Sequence, residues 1–141
     1  MKFITILLIS CFIISSSTVS PETYIGKWKI EGGSIIEIYK EGDTFFGKID
    51  KRADNPLCNL NGLDNKNPNK ELQKRPLLGM IILDQLQYND GVLSDGTIYN
   101  ADSGKIYDVK VWINSDDKDI CYIRAYKSFL FKTFKATRVT H

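Results

Sequence analysis

The chain has 141 residues, of which 43% are hydrophobic and 26% charged, and its formal net charge at pH 7 is +2. This length fits one domain, and the balance of charge argues against a nucleic-acid-binding protein, which carries a clustered basic face. The single histidine, His141, offers neither a base for a Ser-His-Asp or Cys-His device nor a closed zinc ligand set. We therefore expect no catalytic residue, metal or cofactor.

The first residues have the layout of a secretory signal peptide, with Lys2, an apolar run over 3–14, and small residues at 15–17. We expect cleavage after Ser17, which leaves an exported chain, periplasmic or extracellular, over residues 18–141. No membrane span remains after cleavage, and the run itself is shorter than the roughly 20 apolar residues of a span. Two alternatives stay open: an uncleaved N-terminal anchor, and a lipoprotein acylated at Cys11, since residues 8–11 resemble a lipobox.

Short segments rich in β-branched and aromatic residues follow, separated by turn residues. They predict eight strands, at 24–30, 35–41, 44–51, 80–88, 97–100, 105–113, 120–126 and 131–139. Apolar Val109 and Val111 alternate with polar Asp108 and Lys110, as in a half-buried antiparallel strand. Sequential strands with short links favour a meander, and closure removes exposed edges. The predicted fold is all-β, an eight-stranded antiparallel up-and-down barrel, as a single domain.

The connection over 52–75 is the exception, because it is long and rich in asparagine. Structureless loops of this length are uncommon and often functional. Asn67 is a candidate helix cap, Pro68 suits a first helical position and Glu71 suits the first turn, so one helical turn that ends before Pro76 is expected. The segment is either a lid over a ligand or a cover without one.

Cys58 and Cys121 follow the predicted signal peptide. Export to an oxidising compartment permits a disulfide between them. Cys121 occupies an inward position on a predicted strand, where a free cysteine behaves as a small hydrophobic residue. Both interpretations stay open.

Several short motifs occur in a recognisable order along the chain. They are Gly26-Lys27-Trp28, Asn67-Pro68, Arg75-Pro76-Leu77-Leu78-Gly79, Gly96-Thr97-Ile98-Tyr99, Gly104-Lys105-Ile106-Tyr107, Arg124-Ala125-Tyr126 and Thr137-Arg138-Val139. Together they resemble exported bacterial proteins grouped as domain of unknown function 2147. The resemblance implies a small secreted β-barrel and no established reaction.

Gly26-x-Trp28 with the late Arg138 is also similar to the calycin signature of lipocalins, in which a first-strand Trp packs against a late Arg at the closed barrel end. We expect Trp28 and Arg138 to touch, since an Arg over an indole contributes about 0.5–2 kcal/mol. The other motif side chains form a candidate ligand or motif cluster: Asn67, Arg75, Tyr99, Lys105, Tyr107 and Arg124. Structural roles compete with this interpretation, namely packing for the tyrosines and a loop tie for Arg75.

Three functions stay open. The first is a non-catalytic binding module for a small apolar or lipid-like ligand, because an eight-stranded barrel can hold one and the expected inner face is apolar. That face comprises Ile36, Ile38, Phe45, Val109, Val111, Ile123 and Phe134. The second is an envelope structural or protein-interaction module with a filled barrel, which would contact its partner through the long loop and Trp112. The third is an enzyme, which would need Lys105 as a base in a dry cavity, because nucleophile–base pairs are absent from the sequence.

Overall fold

The computed structural model describes residues 17–52 and 62–140. Its strands are β1 (Gly26–Ile30), β2 (Ile35–Glu41), β3 (Thr44–Lys51), β4 (Ile81–Asn89), β5 (Val92–Asn100), β6 (Lys105–Ile113), β7 (Ile120–Lys127) and β8 (Leu130–Arg138). Two short 3₁₀ helices lie at Pro21–Tyr24 and Lys70–Lys74. None of the helices in these two ranges has the length and apolar character to cross a membrane. Except for Ser17, the predicted signal peptide, including Cys11, lies outside the described residues.

The eight strands form a closed antiparallel barrel in which each strand pairs with its neighbours in sequence and β1 pairs with β8. The predicted up-and-down barrel is therefore confirmed. Its two ends differ in what connects the strands. The floor end, as we call it, carries the β2–β3, β4–β5 and β6–β7 turns. The mouth end carries the β1–β2, β3–β4, β5–β6 and β7–β8 connections.

The bounds of β2, β3 and β6 agree with the sequence prediction, whereas β5 begins at Val92 rather than Thr97. Asp95 and Gly96, which precede the predicted strand, lie inside the observed one, where the pairing with β6 shifts. Asp95 has a φ of 61° there. A Cβ on Gly96 would lie 2.4 Å from the Asp84 carbonyl oxygen, so this irregularity accepts only glycine.

Large side chains fill the floor half of the barrel. Tyr24, Trp28, Phe45, Leu86 and Leu93 are all buried in one core cluster. The Tyr24 hydroxyl donates to the Gly91 carbonyl at 2.5 Å, and the Trp28 indole N–H donates to the Tyr24 carbonyl at 2.9 Å. The polar atoms of both aromatic residues are thereby satisfied inside the core.

Arg138 closes this end over the indole. Its guanidinium carbon lies 4.2 Å from the centroid of the Trp28 ring, so the contact expected from the sequence is present. The same guanidinium donates to the Thr23 carbonyl at 2.6 Å and to Asp119 Oδ1 at 3.0 Å. It thus joins β8, the β6–β7 turn and the segment that precedes β1.

Cys121 faces the same core as a buried, free thiol. Burial raises the pKa of this thiol to about 12, so it is protonated at neutral pH. Cys58 falls outside the described residues, and a disulfide between it and Cys121 stays one of the two interpretations of the sequence.

Candidate functional site: an apolar cavity and a tied loop

The mouth half of the barrel encloses a cavity of about 700 Å³. Its wall is mainly aliphatic and aromatic, with Ile36, Ile49, Ile98, Ile123 and Phe134 among the lining residues. Ligand pockets in proteins commonly measure about 300–1,000 Å³ and are mostly apolar, so this cavity has the size and lining of a small-molecule site.

The predicted inner face divides between core and cavity. Ile38, Phe45, Val109 and Val111 are buried in the floor half. Ile36, Ile123 and Phe134 line the cavity. Ala125 lies one inward position beyond Ile123 on β7 and also lines the cavity, where its short side chain leaves the space open.

Charged side chains border the cavity where it reaches the mouth end. They are Glu31, Arg52, Asp102, Lys127 and Lys132. The Lys132 ammonium lies 4.9 Å from the centroid of the Phe134 ring, so a cation sits directly above the apolar wall. An amphiphile with its apolar part inside would meet these charges with its polar end.

Beside the cavity, the long β3–β4 connection is fastened to the barrel through one buried carboxylate, Asp64. The Tyr99 hydroxyl on β5 donates to Asp64 Oδ1 at 2.5 Å. Asn67 Nδ2 and Arg75 Nε donate to Asp64 Oδ2 at 2.8 Å and 2.9 Å. Asp64 is fully buried, and these three donors together with the positive charge of Arg75 offset the cost of removing the carboxylate from water.

The hydrogen bonds of Tyr99, Asn67 and Arg75 to Asp64, which we call the Asp64 tie, also determine the protonation state of Tyr99. Burial, followed by the hydrogen bond to Asp64 and its negative charge, raises the pKa of Tyr99 to about 12. The Arg75 guanidinium lies 5.8 Å from the centroid of the Tyr99 ring. Tyr99 is therefore a protonated donor at neutral pH, and its proton is committed to Asp64 rather than to a substrate.

The helical turn of this connection begins later than the sequence predicts. The 3₁₀ helix starts at Lys70, and its cap is Asn69, whose side chain accepts from the Glu71 N–H at 3.1 Å. Asn67 is not the cap, because its amide group is committed to Asp64 and its side-chain oxygen accepts from the Asn69 N–H at 2.9 Å.

The β5–β6 turn packs against the same connection. Gly104 has a φ of +71°, and a Cβ there would lie 1.9 Å from the carbonyl oxygen of Lys66. Only glycine permits this approach of the two backbones. Gly104 therefore allows the β5–β6 turn to pack closely against the long connection.

The six candidate residues do not form one cluster. Asn67, Arg75 and Tyr99 converge on Asp64, and Tyr107 lines the cavity. Lys105 is exposed at the start of β6.

Arg124 lies on the outer face of the barrel, apart from the other five. Its guanidinium carbon lies 5.0 Å from the centroid of the Trp112 ring and 4.4 Å from that of Phe131, and its Nε donates to Thr133 at 2.8 Å. Arg124 therefore braces β6, β7 and β8 from outside.

Asp64 is the residue that sequence reasoning missed. No complete metal-binding or catalytic motif includes it. An acidic residue in the same connection as the motif residues Asn67 and Arg75 was the available clue, because an arginine that holds a loop in place commonly does so through a carboxylate acceptor. Within residues 17–52 and 62–140, no three His, Cys, Asp or Glu side chains are grouped so that they could hold a metal ion.

Comparisons with known proteins agree with this architecture. Residues 26–138 match the family model described as "Uncharacterized protein conserved in bacteria", domain of unknown function 2147. The solved structure of protein HP1028 from the human pathogen Helicobacter pylori, described as belonging to the lipocalin family, is similar to this chain with a TM-score of 0.72 and 23% identity over 87% of this chain and 85% of that one. No curated protein matches the sequence. The chain has a lipocalin-like barrel and belongs to the domain of unknown function 2147 family.

Proposed function

We propose that this protein is a non-catalytic binding module for a small apolar or lipid-like ligand, which occupies the cavity in the mouth half of the barrel. The observation that carries the proposal is the cavity itself, about 700 Å³ with a mainly aliphatic and aromatic wall. A barrel that served only as a scaffold would be filled by side chains along its whole length, as this one is at the floor.

The energetics suit such a ligand. Burial of each methylene group contributes about 0.8 kcal/mol, so about ten buried methylene groups contribute roughly 8 kcal/mol before the costs of binding. That gross value corresponds to a dissociation constant near 1 μM, and the ordering costs reduce it. Lys127 and Lys132 at the mouth would hold a polar or acidic end of the ligand.

The proposed setting is the cell envelope. It rests on the signal-peptide pattern over residues 1–17, which predicts export to the periplasm or beyond. No catalytic role belongs to the proposal, since Lys105 is exposed rather than enclosed and Tyr99 is committed to Asp64.

A second candidate is an envelope structural or protein-interaction module. The filled floor half favours it, as does the aromatic pair on the outer face, where the Trp112 and Tyr122 rings stack with their centroids 5.5 Å apart. Such a module would contact a partner protein from its outer surface and would leave the cavity unused.

Titration with an apolar fluorescent dye, N-phenyl-1-naphthylamine, tests the first candidate. We expect the wild-type protein to bind the dye, and Ala125→Trp to weaken binding at least tenfold because the indole fills the cavity. Lys135→Trp is the matched control, since Lys135 is exposed on the outer face of β8. This substitution adds the same indole side chain outside the cavity. Native mass spectrometry of protein purified from its own envelope should then show a bound small molecule. Absence of both dye binding and added mass in the wild-type protein would refute the proposal in favour of a filled scaffold.

A further inference from the structure

The two ends of the barrel carry opposite charge. At the mouth end, the strand-terminal and connecting residues that the structure describes include eight basic and four acidic side chains. The basic ones are Lys51, Arg52, Lys66, Lys70, Lys74, Arg75, Lys105 and Lys127, and the acidic ones are Glu31, Asp64, Glu71 and Asp102. Asp64 is buried and paired with Arg75. Without that pair the mouth keeps seven basic and three acidic side chains, so the excess of four positive charges is unchanged.

The floor end is acidic by the same criterion. Its connections, strand ends and preceding 3₁₀ helix carry seven acidic side chains against two basic ones. These are Glu22, Glu41, Asp43, Asp90, Asp116, Asp117 and Asp119 against Lys118 and Arg138. The protein is thus an electric dipole along the barrel axis, and an anionic surface would attract the mouth and repel the floor.

Exposed apolar side chains are concentrated at the same basic end. Seven of the eight large hydrophobic side chains that are exposed within the described ranges belong to the mouth half: Leu72, Leu78, Ile81, Ile106, Phe129, Leu130 and Phe131. The exception, Ile25, precedes β1 at the floor. Phe129, Leu130 and Phe131 form the tip of the β7–β8 hairpin with 85%, 67% and 64% of their surfaces exposed. Such consecutive exposure is unusual, because isolated rather than contiguous apolar residues are the norm on protein surfaces.

We propose that the mouth end docks on an anionic lipid bilayer. The hairpin tip, Phe129-Leu130-Phe131, enters the boundary between headgroups and acyl chains, while Lys127 and the other mouth cations contact lipid phosphates. Membrane-surface binding takes this combination of large apolar side chains and nearby Lys or Arg. A protruding hairpin tip suits a fluid surface, whereas a protein partner would need a pocket shaped to receive it.

Docking would place the cavity opening against the bilayer. Leu130 and Phe131 both line the cavity and belong to the tip, so the apolar wall is continuous with the surface that inserts. A lipid-like ligand could then pass between membrane and barrel without crossing water. Membrane docking itself does not depend on the ligand proposal, because it uses the outside of the mouth.

Co-sedimentation with vesicles tests the docking surface, using phosphatidylcholine alone or mixed with phosphatidylglycerol. We expect binding to the mixed vesicles only, and weaker binding as salt screens the charges. Phe129→Ser should weaken binding at least tenfold, since burial of a phenylalanine is lost, and Lys127→Gln about fivefold. The matched controls at the floor end, Ile25→Ser and Lys118→Gln, should leave binding unchanged.

Phe129→Ser makes a clean test because Phe129 is the most exposed of the large apolar side chains in the described ranges and its loss leaves the core intact. Its dye binding in solution should equal that of the wild type, which separates failure of docking from failure of the ligand proposal. Docking would be overturned if the protein did not bind the mixed vesicles or bound the neutral ones equally well. It would also be overturned if Phe129→Ser and Lys127→Gln left vesicle binding unchanged. Self-association or capture of an acidic protein that requires Phe129, without vesicle binding, would assign the surface to a protein partner and would overturn it too.

Discussion

Tyr99→Phe removes one of three hydrogen bonds that the described residues donate to the Asp64 carboxylate. The substitution deletes a single hydroxyl that donates to Asp64 Oδ1 at 2.5 Å and leaves the ring in place. Hydrogen bonds to charged groups contribute about 1.5–3 kcal/mol, and Asp64 is fully buried, so water does not replace the lost donor. Arg75 and Asn67 still donate to the other oxygen. We therefore expect the free energy of unfolding to fall by about 2 kcal/mol.

Urea unfolding followed by tryptophan fluorescence measures this difference. For a domain of this size, about 2 kcal/mol also corresponds to a fall in Tm of roughly 6–10 °C. Tyr107→Phe is the matched control, since it removes a hydroxyl from the neighbouring strand that lines the cavity and does not bond to Asp64. If Tyr99→Phe costs no more than Tyr107→Phe, the Asp64 tie does not stabilise the fold and the reasoning is wrong.

Three further predictions concern the tie and the floor. The pKa of Tyr99 is raised to about 12 in the folded protein from the usual 10.0, so its contribution to the free energy of unfolding is complete below pH 10 and is lost as the pH rises toward 12. In urea unfolding at several alkaline pH values, the free energy of unfolding of Tyr99→Phe should therefore fall less with pH than that of the wild type. Gly104→Ala should lower the free energy of unfolding in urea by more than about 2 kcal/mol and speed proteolysis of the long connection. Gly42→Ala is the control, because Gly42 also has a positive φ but nothing lies within 4 Å of a Cβ there, and it should cost only about 1 kcal/mol. Equal costs would refute the close approach at Gly104. Arg138→Lys should lower the free energy of unfolding by about 2–3 kcal/mol, since the planar contact with Trp28 and the hydrogen bond to the Thr23 carbonyl are both lost; an unchanged Tm would contradict that role.

The barrel could be predicted because its determinants are local. Strands such as β6 alternate inward Val109 and Val111 with outward Asp108 and Lys110, and tight turns join them in order. The start of β5 was harder to predict, because Asp and Gly occur both in turns and at irregularities within strands. The difference is set by the backbone of Asp84 on the neighbouring strand, which is distant in sequence.

The site was harder to predict because it depends on long-range contacts. Asn67, Arg75 and Tyr99 carry a motif signal, but the carboxylate that unites them, Asp64, does not. The cavity volume depends on the distance between the side chains of opposite walls, such as Ile36, Ile123 and Phe134. The alternation of apolar and polar residues along a strand shows which side chains face inward but not how much space lies between them. The sequence therefore identified the residues of the inner face, but it did not decide between a barrel that carries a ligand and a barrel filled by its own side chains.

The seam between β1 and β8 has a consequence for how the molecule is made. Three residue pairs join β1 to β8, at Trp28, Lys29 and Ile30, whereas eight pairs join β7 to β8. Partners at this seam stand far apart in the chain, so the loop that must close before they meet is nearly the whole domain. Closure of the barrel therefore requires β8 to have been synthesised, and we expect the contact of Arg138 with Trp28 to form late in folding.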